Sequence, residues 1–157
     1  MSTKPSDETV RWLGPDEERA WRAYRAMVTA VQAATARDLA AAGLSEADYE
    51  VLSTLSERPR HTSTLREQAA KMDWSRSRLS RHATRMEARG LVRRAPDPDD
   101  GRGCLLILTE QGMDTLKGAA PGHVASVRRH FVDRLAPEDL AALERIAAKV
   151  GGGAEGA

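Results

Sequence analysis

Between residues 72 and 94 the chain reads MDWSRSRLSRHATRMEARGLVRR, and the side chains able to do chemistry there are hydrogen-bond donors rather than nucleophiles. At 100° per residue, Ser77, Arg81, Thr84, Arg85 and Ala88 share one helix face, with Arg78 and His82 on its flank. Leu79, Ala83 and Met86 form a narrow apolar stripe on the other side. Arginine carries a planar fork of N–H groups that matches phosphate oxygens and guanine edges. A helix of this kind is suited to rest on a small core and show donors outward, the requirement for reading a major groove. Its limits are also written locally. Ser75 can cap the first turn, and Gly90 can take the left-handed conformation that ends the last.

A merely solvated helix face would also be polar. Arginine is common throughout, since only four of the 24 basic residues are lysine. The distribution of charge separates the two readings. From 60 to 94 there are ten Lys/Arg against Glu67, Asp73 and Glu87, a local balance of +7 in a chain whose net charge is +1. General composition does not concentrate charge in this way, whereas a polyanion docking on one surface requires it.

Other chemistries lack their residues. Cys104 is the single cysteine, so no internal disulfide framework exists. The four histidines, His61, His82, His123 and His130, are scattered, and no Cys/His group has zinc spacing. No nucleophile–base pair stands out, so the chain reads as a non-enzyme with no cofactor and no metal. With 41% hydrophobic, 30% charged and 4% aromatic residues, the 157-residue chain suits a globular fold with a Leu/Ala/Val/Ile core. No apolar run is long enough to span a bilayer, and the first twenty residues hold no apolar signal core. A cytoplasmic protein without a membrane partner is expected.

The elements that must hold this helix follow from spacing. Residues 1–13 read as a partly disordered lead. Pro15 and the acids 16–18 then start a long helix, with Trp21, Tyr24, Val28, Val31, Thr35 and Leu39 on one side, closed by Gly43. Ser45 and Asp48 form a capping box for the next helix, in which Val51, Leu52 and Leu55 face the core until Arg58-Pro59. A short helix begins at Thr64 or Arg66 with Leu65, Ala69 and Met72 inward, and Asp73-Trp74 turns into the Ser75 helix, making a helix-turn-helix. LVRRA (91–95) and CLLIL (104–108) then read as two strands around a long tip, PDPDDGRG (96–103). Thr109 caps a further helix, which is expected to kink at Pro121 and run on through Val124, Val127, Phe131 and Leu135. A last helix starts near Pro137 with Leu140, Leu143, Ile146, Ala147 and Val150 on one side, followed by a disordered tail at 151–157. The fold class is mainly α with a small β-hairpin wing. Striped helices at both ends suit pairing about a two-fold axis.

This order of elements, with WSRSRLSRHATRMEARGLVRR and DPDDGRG followed by CLLILTEQG, resembles the MarR family, the multiple antibiotic resistance type of bacterial winged-helix transcription regulators. The resemblance covers roughly 20–150 and includes the family's Asp-x-Arg wing signature at Asp100 and Arg102. It implies one winged-helix regulator domain over 14–150: a DNA-binding lobe at about 45–108 and dimerisation helices at about 14–43 and 109–150. It further implies a homodimer straddling a pseudo-palindromic operator in double-stranded DNA. On this reading Ser77, Arg78, Arg81 and His82 meet base edges, and Thr64, Ser75 and Arg85 meet phosphates. Arg102 enters the minor groove, oriented by the Asp100 carboxylate. Val127, Phe131, Leu140 and Leu143 belong to the dimer interface.

Three departures from the family pattern stand out. Gln68 occupies a position usually filled by Leu, which predicts weaker packing of the first motif helix. Arg66 stands where a small cap residue is common, and Gly101 where a further base often lies. The family also suggests a small-molecule effector, often phenolic, in a cleft between lobe and dimer helices. Trp21, Tyr24, Tyr49 and His61 are this chain's candidates, against the alternative that the aromatics pack the dimer core and His61 sits in a loop. Cys104 starts a wing strand, away from the N-terminal position of the family's redox-sensing cysteines, and is expected to be a half-buried structural residue. The competing functional reading is a winged helix used for protein–protein contact without specific DNA readout.

Overall fold

A computed structural model describes residues 10–151 of the chain. Most of the lead and tail expected at 1–13 and 151–157 lies outside these residues. Gly151 is the last residue of the final helix.

The described residues form six α-helices and one three-stranded sheet: α1 (Pro15–Ala41), α2 (Glu46–Ser56), β1 (Thr62–Thr64), α3 (Leu65–Lys71), α4 (Arg76–Ala88), β2 (Val92–Asp97), β3 (Asp100–Leu108), α5 (Glu110–His130) and α6 (Pro137–Gly151). Most boundaries are set by hydrogen bonds reaching three or four residues. At α2 the capping box forms in full: the Asp48 amide donates to Ser45 Oγ, and the Ser45 amide to Asp48 Oδ2, each at 3.0 Å. Thr64 caps α3 by accepting from the Glu67 amide at 3.1 Å, which settles the open boundary in favour of Thr64 over Arg66. Gly90 follows α4 at φ 76°, a conformation that costs glycine little. At the start of α5 a Cβ on Gly112 would lie 2.0 Å from the Leu91 carbonyl oxygen, so only glycine lets the helix seat against the strand.

The core is built from Val51, Leu52 and Leu55 of α2, Ala69 and Met72, Leu79, Ala83 and Met86 of α4, Val92 and Leu106 of the sheet, and Leu116 of α5. Fully burying one such leucine or methionine contributes about 1.5–3 kcal/mol. Gln68 also enters this core. It is 1% exposed, and its Nε2 donates to Thr54 Oγ1. The amide therefore gains a partner that a leucine would not need.

Several expectations are corrected. A third strand, β1, joins the sheet in the order β1-β3-β2, pairing Ser63 with Leu106. The hairpin strands are longer than expected and the tip shorter, with Asp97 opposite Asp100 and an irregularity between Pro96 and Asp97. α5 continues through Pro121 and then stops at His130. Phe131, expected in the helix, adopts φ −140° and ψ −71°, and a 3₁₀ turn at Val132–Arg134 precedes Leu135. α1 lies against α5, while α6 buries none of its residues. No helix among the described residues is long and apolar enough to cross a membrane.

Candidate nucleic-acid interface

α4 is held at its head by Ser75, whose Oγ accepts from the Arg78 amide at 3.1 Å. Leu79, Ala83 and Met86 are fully buried beneath it, which leaves Arg76, Ser77, Arg78, Arg81, Thr84 and Arg85 exposed. An open groove of about 1230 Å³ runs between the start of α4 and the hairpin; its walls include Thr64, Arg66, Arg76, Ser77, Ser80, Arg81 and Arg102. Glu67, Asp97, Asp99 and Asp100 also line it, mainly toward the hairpin. The donor side of the groove is therefore the helix, and the hairpin contributes Arg102 among acids.

His82 is corrected. Expected among the base readers, it is only 8% exposed and turned toward the lobe interior. Its Nε2 lies 2.9 Å from Asp48 Oδ1, a close electrostatic contact, and its Nδ1 lies 3.1 Å from an Arg85 guanidinium nitrogen. Burial favours the neutral ring and holds the His82 pKa below the ordinary histidine value; the Asp48 carboxylate opposes this and Arg85 adds to it. In the neutral ring Nδ1 can accept from Arg85, while Nε2, though close to Asp48, makes no hydrogen bond to it.

Asp48 thus has a role beyond its cap. Arg89 at the end of α4 donates to Asp48 Oδ2 at 2.7 Å and to the Gly43 carbonyl at 2.6 Å. Burial of Asp48 disfavours its charge, but the Ser45 amide and the Arg89 guanidinium outweigh that and hold its pKa below the usual carboxylate value. The carboxylate ties the first turn of α2 to both the middle and the end of α4. Arg94 of β2 makes a similar tie, reaching Glu87 and Thr84 at 3.3 and 2.9 Å. Part of the basic surplus counted over 60–94 therefore fastens the lobe internally. Arg81 has no hydrogen bond or ion pair among the described residues, so its donors are unengaged.

The wing signature also differs from expectation. Asp100 Oδ1 accepts from the backbone amide of Arg102 at 3.0 Å, not from its guanidinium. The carboxylate shapes the turn and leaves the Arg102 side chain exposed at the tip. Cys104 is half-buried on β3, as expected of a structural residue.

The four candidates for an effector cleft do not converge. Tyr49 packs against His123 with ring centroids 4.2 Å apart and planes tilted by 39°, at a small cleft of about 320 Å³ shared with Leu39, Glu46, Glu50, Ser53 and Thr54. Trp21 and Tyr24 stack on each other 5.7 Å apart and are 52% and 54% exposed, away from that cleft. His61 is exposed, with Nδ1 3.0 Å from the Ser56 carbonyl. His123, which carries one wall, was not singled out from the sequence; its pairing with Tyr49 exists only once α5 crosses α2. Of the interface candidates, Val127, Phe131, Leu140 and Leu143 are half-buried in the single chain. Among the described residues no group of His, Cys, Asp and Glu has the geometry to hold a metal ion.

The family profile described as MarR family matches residues 44–104, the span from just before α2 to the middle of β3. AbsC, a MarR family transcriptional regulator from Streptomyces coelicolor, is 40% identical, aligns over 94% of this chain and 100% of its own, and superposes with a TM-score of 0.88. A second MarR family transcriptional regulator from the same organism, solved in complex with DNA, is 37% identical over 95% of this chain and 94% of its own, with a TM-score of 0.89. A mutant of MarR from E. coli, solved with operator DNA, is 21% identical at a TM-score of 0.78, over 89% of this chain and 99% of its own, and supports the fold alone. No curated protein matches the sequence.

Proposed function

Because the chain belongs to the MarR family, we propose that it is a sequence-specific double-stranded DNA-binding transcriptional regulator, acting as a homodimer on a pseudo-palindromic operator. The observation that carries this reading is Arg81, exposed and unengaged in the groove between α4 and the hairpin. The 37% identical relative solved with DNA supports the same use of the fold.

In this reading α4 enters a major groove, and Ser77, Arg78 and Arg81 meet base edges. An arginine bidentate to guanine contributes about 1–3 kcal/mol of discrimination. Thr64, Ser75 and Arg85 meet phosphates, which set register without reading sequence. Arg102 reaches the flanking minor groove, and Asp100 keeps the wing turn in shape for it. A two-fold partner places the second α4 about one helical turn away along the duplex. Val127, Phe131, Leu140 and Leu143 cover their counterparts in the partner, so that one domain over 14–150 divides into a reading lobe at about 45–108 and pairing helices on either side. The relatives are transcriptional regulators, and we assign this chain no catalysis and a cytoplasmic location. The cleft between Tyr49 and His123 is the place for a small aromatic effector.

Salt dependence tests the reading. Binding to duplex DNA is expected to fall linearly on a log–log plot against salt, with a slope near −0.9 for each phosphate neutralised. Binding that stays level from low to moderate salt would overturn it and favour a protein-contact module.

A further inference from the structure

We propose that Trp74 is a positioning residue for DNA reading: its indole face holds the Arg78 guanidinium in place, so that Arg78 offers a fixed N–H edge to a guanine. The proposal rests on the DNA-binding reading above. It adds a residue that lies in the turn of the motif, outside the reading helix.

The geometry behind it is a chain of side-chain contacts running from the exposed surface to α2. The Arg78 guanidinium carbon sits 3.7 Å from the Trp74 ring centroid, within the range of a cation–π contact. The indole also makes a T-shaped contact with His82, with centroids 5.7 Å apart and planes at 86°. His82 is itself held near Asp48, whose second oxygen is bound by Arg89. Trp74 is half-buried against the lobe core, and its amide donates to the Ala69 carbonyl at 2.9 Å. The indole is therefore held by the lobe core, by His82 and by its own backbone. Arg78 covers a face of this ring.

An arginine held by its flat face keeps its N–H groups in the plane of the guanidinium, at the edge, where they can meet guanine O6 and N7 as a pair. A side chain already stacked also loses less freedom on binding than one that samples many rotamers in water. Arg81 has no such support among the described residues. Arg78 is thus the pre-organised reader and Arg81 the adaptable one. Lysine at 78 would keep the charge and lose both the planar edge and the stack.

The test uses the full-length protein and a duplex enriched by it from a randomised pool. Discrimination is read as the ratio of affinities for that duplex and for random duplex. Trp74→Leu keeps apolar bulk but removes the ring face; it is expected to lower the ratio roughly 3- to 30-fold while leaving random-duplex binding within about twofold. Trp74→Phe should restore most of the ratio. Once Arg78→Ala is present, Trp74→Leu should cost nothing more, because its effect acts through Arg78. Replacing one enriched guanine by 7-deazaguanine should hurt the wild type and not Arg78→Ala. Wild-type discrimination in Trp74→Leu, or additive losses in the double variant, would overturn the proposal. If Trp74→Leu fails to fold, Arg78→Lys in an intact lobe decides the matter: retained discrimination overturns the proposal, and lost discrimination supports it. A pool that yields no enriched sequence would instead overturn the DNA-reading function itself.

Discussion

α4 buries Leu79, His82, Ala83 and Met86 against the lobe, whereas α6, with Leu140, Leu143, Ile146 and Val150 along one side, buries none of its residues. Both helices are amphipathic, yet different faces are left unpartnered. In α4 the apolar stripe is satisfied inside the chain, and the exposed face is a row of donors. In α6 the polar side is already solvated, and the exposed face includes Ile146 at 53% and Val150 at 83%. Contiguous exposed apolar surface marks a contact site, and exposed unengaged arginine marks an anion site. The contrast assigns one partner to each helix under the proposed function: DNA to α4 and a second copy of the chain to α6.

The change expected to have the largest effect breaks the α6 half of this contrast. Leu140→Asp with Leu143→Asp places carboxylates on the face that a partner would cover, in both copies. Sedimentation should show a monomer, and operator affinity should fall about a thousandfold or more, since burying each leucine is worth about 1.5–3 kcal/mol. A double variant that remains dimeric would show that α6 is not an interface element.

The lobe half is tested by truncating its core. Leu79→Ala is expected to lower unfolding stability by about 2–5 kcal/mol, read from the urea midpoint. Ile146→Ala should instead act mainly through dimer affinity, so that its effect on the midpoint depends on protein concentration. Equal, concentration-independent losses in the two variants would erase the distinction between the helices.

Within the donor face, Arg81→Ala should lower operator affinity by about 1–3 kcal/mol more than it lowers random-duplex affinity. Arg85→Ala should weaken both similarly. Identical profiles for the two would refute the division between base and phosphate contacts.

The smallest effect concerns the buried side of α4. The folded chain favours neutral His82, so below about pH 6.5 the unfolded chain binds more protons and stability falls with acidification. Asp48, depressed in the folded chain, contributes stability that is present above about pH 3.8 and lost as pH falls further. His82→Gln should therefore show a smaller decrease in Tm than the wild type between about pH 7 and pH 5. A decrease of the same size would mean that His82 does not carry this trend.

Gln68 and His82 show what residue type alone leaves open. Each is polar, each lies in the reading motif, and each is buried. Gln68 finds Thr54 fourteen positions away in the chain, and Asp48 finds Arg89 forty-one positions away. Helical periodicity placed His82 only on a flank, and whether a flank faces water or protein depends on the helix that crosses it. The aromatic candidates for an effector cleft separated for the same reason, since α5 brings His123 to Tyr49 and leaves Trp21 and Tyr24 elsewhere.

What the sequence determined by itself was the local grammar: the caps at Ser45, Ser75 and Thr109, the helix-turn-helix and hairpin order, and the arginine-bearing face of α4. These depend on hydrogen bonds and face periodicity within a few residues, which the chain carries with it in any surroundings. Tertiary structure decided which of those polar groups remain free. It turned His82 inward, engaged Arg89 and Arg94, used Asp100 for backbone geometry, added β1 to the sheet and set Trp74 behind Arg78. A donor is available to a ligand only if no distant acceptor has already taken it, and distant acceptors are brought near only by the completed fold.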